Sequence, residues 1–116
     1  PMTNLPSLYA RVVAKRPELA VPILEYEPDL ASTRENRGWS IGTSRNFRTE
    51  VYAEVAAAMI LARWVEGLPQ GYFIAKTCSG FDVAVIDNYA CVHWSDRPAF
   101  DHPVEALAAF YLGETT

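Results

Sequence analysis

Lys76, Asp82, Cys91 and His93 are side chains of types that do chemistry, and they fall close together in the chain. A carboxylate beside a histidine orients the ring and raises its basicity, which is the arrangement of a general base. The register expected for the hairpins puts Lys76, Asp82 and His93 in one cross-strand row. A cross-strand charge pair with a surface histidine gives the same row and contributes only ~0.2–1 kcal/mol. Cys91 is the one nucleophile nearby, two residues from His93 along the same face. A base without an identified nucleophile or pocket is an incomplete site. No catalytic residue is therefore assigned, and a small enzyme centred on His93 and Asp82 stands as an alternative.

Cys78, Cys91, His93 and His102 are also zinc-ligand types. No Cys-x-x-Cys or closely spaced His-His pair is present, and tetrahedral sites usually contain one. Cys78 falls in a turn and Cys91 in mid-strand, so both read as free thiols, buried or half-buried. No metal and no cofactor is expected. Arg34, Arg37, Arg45 and Arg48 gather around Trp39. Arginine beside an aromatic ring can bind phosphate or stack on bases. The plainer reading pairs these arginines with acids such as Glu25, Glu27 and Asp29. The sequence contains no GxGxxG, GxxxxGK[ST], GxSxG or HExxH motif.

Charge decides between those readings. Ten basic and fourteen acidic side chains leave a net charge of −4, which opposes nonspecific binding to nucleic acid or to anionic membranes. The longest apolar run, from Val55 to Ala62, is far short of the ~20 residues that span a bilayer. No secretory or targeting signal is visible. Pro1 ahead of Met2 reads as a remnant of tag cleavage, with a natural start at Met2. Two cysteines do not make a disulfide framework, so a reducing cytoplasm is expected. At 116 residues the chain is one domain that can fold without a staple.

Residues 5–16 read as a helix with Leu5, Leu8, Val12 and Val13 on one face, capped by Asn4 and stopped by Pro17. A short edge strand within 21–27 is confined by Pro22 and Pro28. Residues 28–48 read as a long polar loop in which Trp39-Ser40-Ile41 is either a short strand or part of a mobile segment. A second helix is expected after a cap at Asn46 or Thr49, with Glu50 in its first turn. Its stripe is Val51, Val55, Ala58, Ala62 and Val65, widened by Met59 and Trp64. Gly67 and Pro69 end it. Strands at 71–77, 81–86 and 89–94 follow. A last helix is expected over 103–112, capped by Asp101 or His102, with Pro103 in its first turn and Gly113 after it.

Reading Asp87-Asn88 as a two-residue loop places Ile86 opposite Tyr89, Ala84 opposite Cys91 and Asp82 opposite His93. Reading Cys78-Ser79-Gly80 as a three-residue loop places Thr77 opposite Phe81 and Lys76 opposite Asp82. Phe73, Ala75, Thr77, Phe81, Val83, Val85, Ala90, Val92 and Trp94 then share the core face. Tyr72, Ile74, Lys76, Asp82, Ala84, Ile86, Tyr89, Cys91 and His93 share the other. That second face is either covered by the N-terminal third or used as a partner surface.

The order helix–three antiparallel strands–helix resembles the double-stranded-RNA-binding domain. That resemblance implies lysines at the start of the last helix, where this chain has Asp101-His102-Pro103-Val104-Glu105, so RNA binding is rejected. A second resemblance rests on Arg48-Thr49-Glu50-Val51-Tyr52-Ala53-Glu54-Val55-Ala56-Ala57-Ala58 and on His102-Pro103-Val104-Glu105-Ala106-Leu107-Ala108-Ala109. These stretches resemble the phage ABA-sandwich proteins, over about residues 48–112. The resemblance implies a small phage-encoded protein and supplies no functional residues.

The expected fold is α+β: a small antiparallel meander of three to four strands packed by two main helices. Residues 49–113 form the helix–three strands–helix core, and residues 1–48 supply an N-terminal helix, an edge strand and the long loop. The expected function is that of a non-enzymatic cytoplasmic accessory protein acting through a protein partner, from the host or a second copy, with a structural homodimer that uses the second sheet face as an alternative beside the small enzyme. Its partner-binding residues are expected to be Tyr72, Tyr89, His93, Arg34, Arg37 and Trp39, because such aromatic and arginine side chains dominate interfaces. In the competing reading, Trp39 folds back as a plug over the sheet.

Overall fold

The computed structural model of the chain describes residues 5–28, 38–42, 47–95 and 97–113. Arg34, Arg37 and Arg45, and the expected cap residues Asn4 and Asn46, lie outside them. Helix α1 (Leu5–Lys15) runs into a 3-10 turn (Pro17–Leu19), Pro17 having no N–H to continue α1. Strands β1 (Leu24–Tyr26), β2 (Trp39–Gly42) and β3 (Arg48–Val51) form one antiparallel sheet in that order. Helix α2 (Ala53–Glu66) follows. Strands β4 (Tyr72–Thr77), β5 (Gly80–Ile86) and β6 (Val92–His93) form a second antiparallel sheet, and α3 (Pro103–Leu112) closes the core. The fold is α+β, with the expected helix–three strands–helix order from α2 onward. The strands of the N-terminal third make a sheet of their own and do not extend the meander. Among the described residues no helix is long and apolar enough to cross a membrane.

Helix α2 starts later than expected. Residues 48–51 pair with β2, Val51 opposite Trp39 and Thr49 opposite Ile41, so their β-favouring side chains find partners in a sheet. Tyr52 takes the N-cap position without a side-chain cap bond. The buried stripe is Ala56, Ala57, Ile60 and Trp64, while Val55, Ala58, Ala62 and Val65 are exposed. A helix with two apolar stripes is not phased by its own sequence, and the elements packed on it decide.

Helix α3 lies against α1, α2 and β5 and is buried along most of its circumference. Its ends follow local signals. His102 Nδ1 accepts the Val104 amide at 3.1 Å, Pro103 opens the first turn, and Gly113 takes φ +67° at the left-handed cap. Lys15 donates to the Leu112 carbonyl at 2.9 Å, placing a cation at the negative end of the helix.

The second sheet departs from the expected register at both turns. Thr77 pairs with Gly80, not with Phe81, so Cys78-Ser79 is a two-residue turn. Thr77 Oγ1 supports it, donating to the Gly80 carbonyl and accepting the Ser79 amide. Asp87 opens a five-residue loop, after which Val92 pairs with Ile86 and His93 with Val85. Asp87 Oδ1 accepts the amides of Tyr89 and Cys91, and Ala90 adopts φ +62°, closing a loop longer than Asp87-Asn88 alone.

Each slip is odd, so each reverses a face. Tyr72, Ile74, Phe81 and Val83 lie together toward α3, where Tyr72 contacts the Phe110 ring at 5.2 Å. Phe73, Ala84, Val92 and Trp94 lie on the other face. The expected core roles of Phe81 and Val83 hold, whereas those of Val92 and Trp94 do not: they are 41% and 51% exposed.

The two tryptophans thus trade the roles expected of them. Trp39 is 1% exposed, held between the rings of Tyr9 and Tyr26 at 5.8 and 5.0 Å. Trp39→Ala is expected to cost about 3–5 kcal/mol. Trp94→Ala is expected to cost about 1 kcal/mol or less. Urea denaturation of both variants checks the ranking.

Candidate functional site

The loop after β5 is organised by one carboxylate. Asp87 Oδ1 accepts the Tyr89 amide at 2.8 Å and the Cys91 amide at 3.0 Å, while Oδ2 meets His93 Nε2 at 2.7 Å. The hydrogen bond from His93, and after it the two amides, hold the Asp87 carboxyl below its ordinary value of 3.8. This anchoring leaves Tyr89 projecting outward, 87% exposed, with His93 exposed beside it.

The row Lys76–Asp82–His93 does not exist. Lys76 pairs with Phe81, its ammonium 5.9 Å from that ring centroid. Asp82 sits on the opposite face from His93, since His93 is paired with Val85 and the side chains of neighbouring residues alternate. Asp82 is buried and fully engaged: it accepts from Ser95 Oγ at 2.8 and 2.9 Å and from the Val83 amide at 2.9 Å. Its role is to fasten the segment after β6, which returns to β5 through a Phe81–Phe100 bridge. The enzyme reading centred on Asp82 and His93 therefore loses its geometry.

Asp82 and Ala84 lie beneath an apolar surface that no helix covers among the described residues. The rings of Phe73 and Trp94 meet at 6.5 Å, nearly perpendicular. Phe73 is paired with Ala84, and one step along the β5–β6 register Trp94 also comes opposite Ala84. Ile86 and Val92, paired with each other, extend the patch toward the Asp87 loop. Both are more than two-fifths exposed.

The first sheet holds a different feature. An open concavity of about 720 Å³ is lined by Glu25, Tyr26, Glu27 and Arg48. Arg48 donates to Ser40 Oγ at 3.0 Å and to the carbonyls of Ser40, Ile23 and Gly42 at 2.9, 3.1 and 3.5 Å, with Glu25 Oε2 at 3.4 Å. Its guanidinium ties the three strands together and pairs with an acid, so it is spent on structure.

Of the expected partner-binding residues, Tyr72 is exposed on the α3 side, and Tyr89 and His93 are exposed at the loop. Trp39 is corrected: it is a core residue, buried by Tyr9 and Tyr26, and offers no surface to a partner. Arg34 and Arg37 lie outside the described residues. Ile86 was expected on the second face, whereas Trp94 and Val92 were missed as surface residues because the assumed register buried them. The signal that could have found them was the capacity of Asp87 to bond amides two and four residues onward. Cys78 and Cys91 are free thiols, both exposed and not buried. Among the described residues no group of three or more His, Cys, Asp or Glu is placed to hold a metal ion.

Comparison with protein-family models, with curated proteins and with solved structures finds no match to this chain.

The folded Asp87 pKa lies below the unfolded one, so the loop's contribution to stability is fully present above the ordinary aspartate value. It is lost as pH falls through the folded value. A carbon-detected NMR titration should place the Asp87 midpoint below 3.8, and His93→Ala should move it upward. A midpoint unchanged by that substitution would show that the ring does not hold the carboxylate.

Proposed function

We propose that this chain is a non-enzymatic binding protein acting through protein–protein contact, with the uncovered face of β4–β6 as its binding surface. The observation that carries this reading is the contiguous exposure of Trp94, Ile86 and Val92 on a sheet face without a covering helix among the described residues. Soluble monomers seldom leave such patches without a use. Tryptophan is among the side chains that anchor interfaces. Tyr89, exposed in the loop that joins Ile86 to Val92, supplies a polar contact at the end of the patch, whereas His93, paired with Val85, lies on the opposite face. In this reading the protein works in the cytoplasm, where the exposed thiols of Cys78 and Cys91 stay reduced. The partner is a protein and not a nucleic acid, in keeping with the net charge of −4. The resemblance to phage ABA-sandwich proteins gives the concrete version, a phage-encoded modulator of a host or defence component.

The test is affinity capture from host lysate with the wild-type chain, Trp94→Ala and Ile86→Asp, read by mass spectrometry against a tag-only control. A protein captured by the wild type and lost from both variants, each still cooperatively folded at the temperature of capture, is expected. Equal capture by all three chains would remove this face from the binding surface.

A further inference from the structure

Strand β4 is an edge strand of six residues, YFIAKT, with no proline and no bulge, and its only charge is Lys76. Edges of this kind are usually blunted or paired. Among the described residues the other edge strands are shorter. Strand β1 has three residues between Pro22 and Pro28, β3 has four, two of them the charged Arg48 and Glu50, and β6 has two.

The ladder fixes which groups of β4 face outward. The Ile86 amide donates to the Gly71 carbonyl at 2.9 Å, and hydrogen-bonded pairs alternate along an antiparallel ladder. Gly71, Phe73, Ala75 and Thr77 therefore turn their amides and carbonyls toward β5. Tyr72, Ile74 and Lys76 turn theirs to the free edge. The Tyr72 amide is already engaged, donating to Pro69 O at 3.0 Å. The amides of Ile74 and Lys76 have no backbone partner among the described residues.

We propose that this edge pairs with β4 of a second copy, antiparallel and centred on Ile74. In that register Ile74 meets Ile74, and each Lys76 meets the other chain's Tyr72, so the two ammonium groups never oppose each other. Four interchain backbone bonds form: two between the Ile74 residues, and one from each Lys76 amide to the opposite Tyr72 carbonyl. The one outward amide left out of this scheme, that of Tyr72, is the one already satisfied by Pro69. Helix α3 lies mainly over β5 and reaches β4 on one face, where Phe110 packs on Tyr72, leaving the outward backbone groups of Ile74 and Lys76 at the edge. The two sheets become one of six strands. This dimer uses the edge of the sheet and does not rest on the uncovered face serving as a partner surface.

Sedimentation of the full chain from micromolar to millimolar concentration, with amide hydrogen exchange by NMR, tests the pairing. Concentration-dependent dimerisation is expected, with exchange at Ile74 and Lys76 slowing as the dimer forms and exchange at Phe73 and Ala75 little changed. Lys76→Pro removes an outward N–H while leaving the β4–β5 ladder intact. It should weaken association roughly tenfold or more, through loss of two interchain bonds, at similar melting temperature. If that variant fails to fold, exchange at Ile74 and Lys76 in the wild type decides. A chain that stays monomeric throughout, or a dimer whose Ile74 and Lys76 amides exchange as fast as in the monomer, would overturn the proposal. So would a dimer that survives Lys76→Pro but is lost in Trp94→Ala, which would put the second copy on the uncovered face.

Discussion

Burying Trp64 requires a partner for its indole N–H, and the way that need is met organises the three helices. The ring is fully buried, and Nε1 donates to the Leu19 carbonyl at 3.0 Å, in the turn that ends α1. The Tyr111 hydroxyl of α3 donates to the Trp64 carbonyl at 2.6 Å, and burial raises that phenol above its ordinary value of 10.0, so it remains a donor. Tyr9 of α1 stacks on the same indole at 6.3 Å, and its hydroxyl accepts the Val21 amide. Each bond fixes a distance between elements far apart in sequence. An unpaired indole N–H in this core would cost about 1–3 kcal/mol. The packing of α1, the 3-10 turn, α2 and α3 is thus a polar requirement met inside an apolar core.

Gly67 shows how closely that arrangement is fitted. A Cβ at this position would stand 2.7 Å from Leu19 Cδ2 and 3.2 Å from the Tyr111 hydroxyl. The residue is in ordinary right-handed geometry, so backbone freedom does not explain the glycine. Space does. With the helices locked on one side, α3 covers one face of β4 and β5. The opposite face rests on Asp82, Ser95 and the Phe73–Trp94 ring contact.

The features legible in the sequence were those with local causes. Helix α1 ends where Pro17 removes a donor. Helix α3 runs from Pro103 to Leu112 because His102, Pro103 and Gly113 act within one turn of its ends. The order of α2, three strands and α3 follows from segment composition. What was lost depended on distant partners. Residues 48–51 look like a helix start until Trp39 is known to pair with Val51. The buried stripe of α2 was chosen wrongly because both stripes are apolar, and Trp64 binds Leu19 across 45 positions. Trp39 stands in a polar, glycine-rich stretch, and its burial comes from Tyr9 and Tyr26. At the candidate site one side-chain turn at Asp87 moved the hairpin register by an odd number and carried Trp94 from the core to the surface.

The contact between α1 and α3 constrains how the chain is made. Lys15 and Leu112 are joined across 97 positions, and Leu5, Val12 and Leu19 enter the same core as Leu107 and Tyr111. On the ribosome the first helix emerges long before the last. A nascent chain lacking residues beyond 102 has α2 but not α3 to pack on those side chains, so the helical core closes only after synthesis has passed α3. Until then the half-made core presents apolar surface to whatever chaperone attends the exit tunnel. Non-local contacts of this span also slow folding, because the loop must close before the contact is formed. The order of synthesis thus makes closure of the helical core a late event in the life of each molecule.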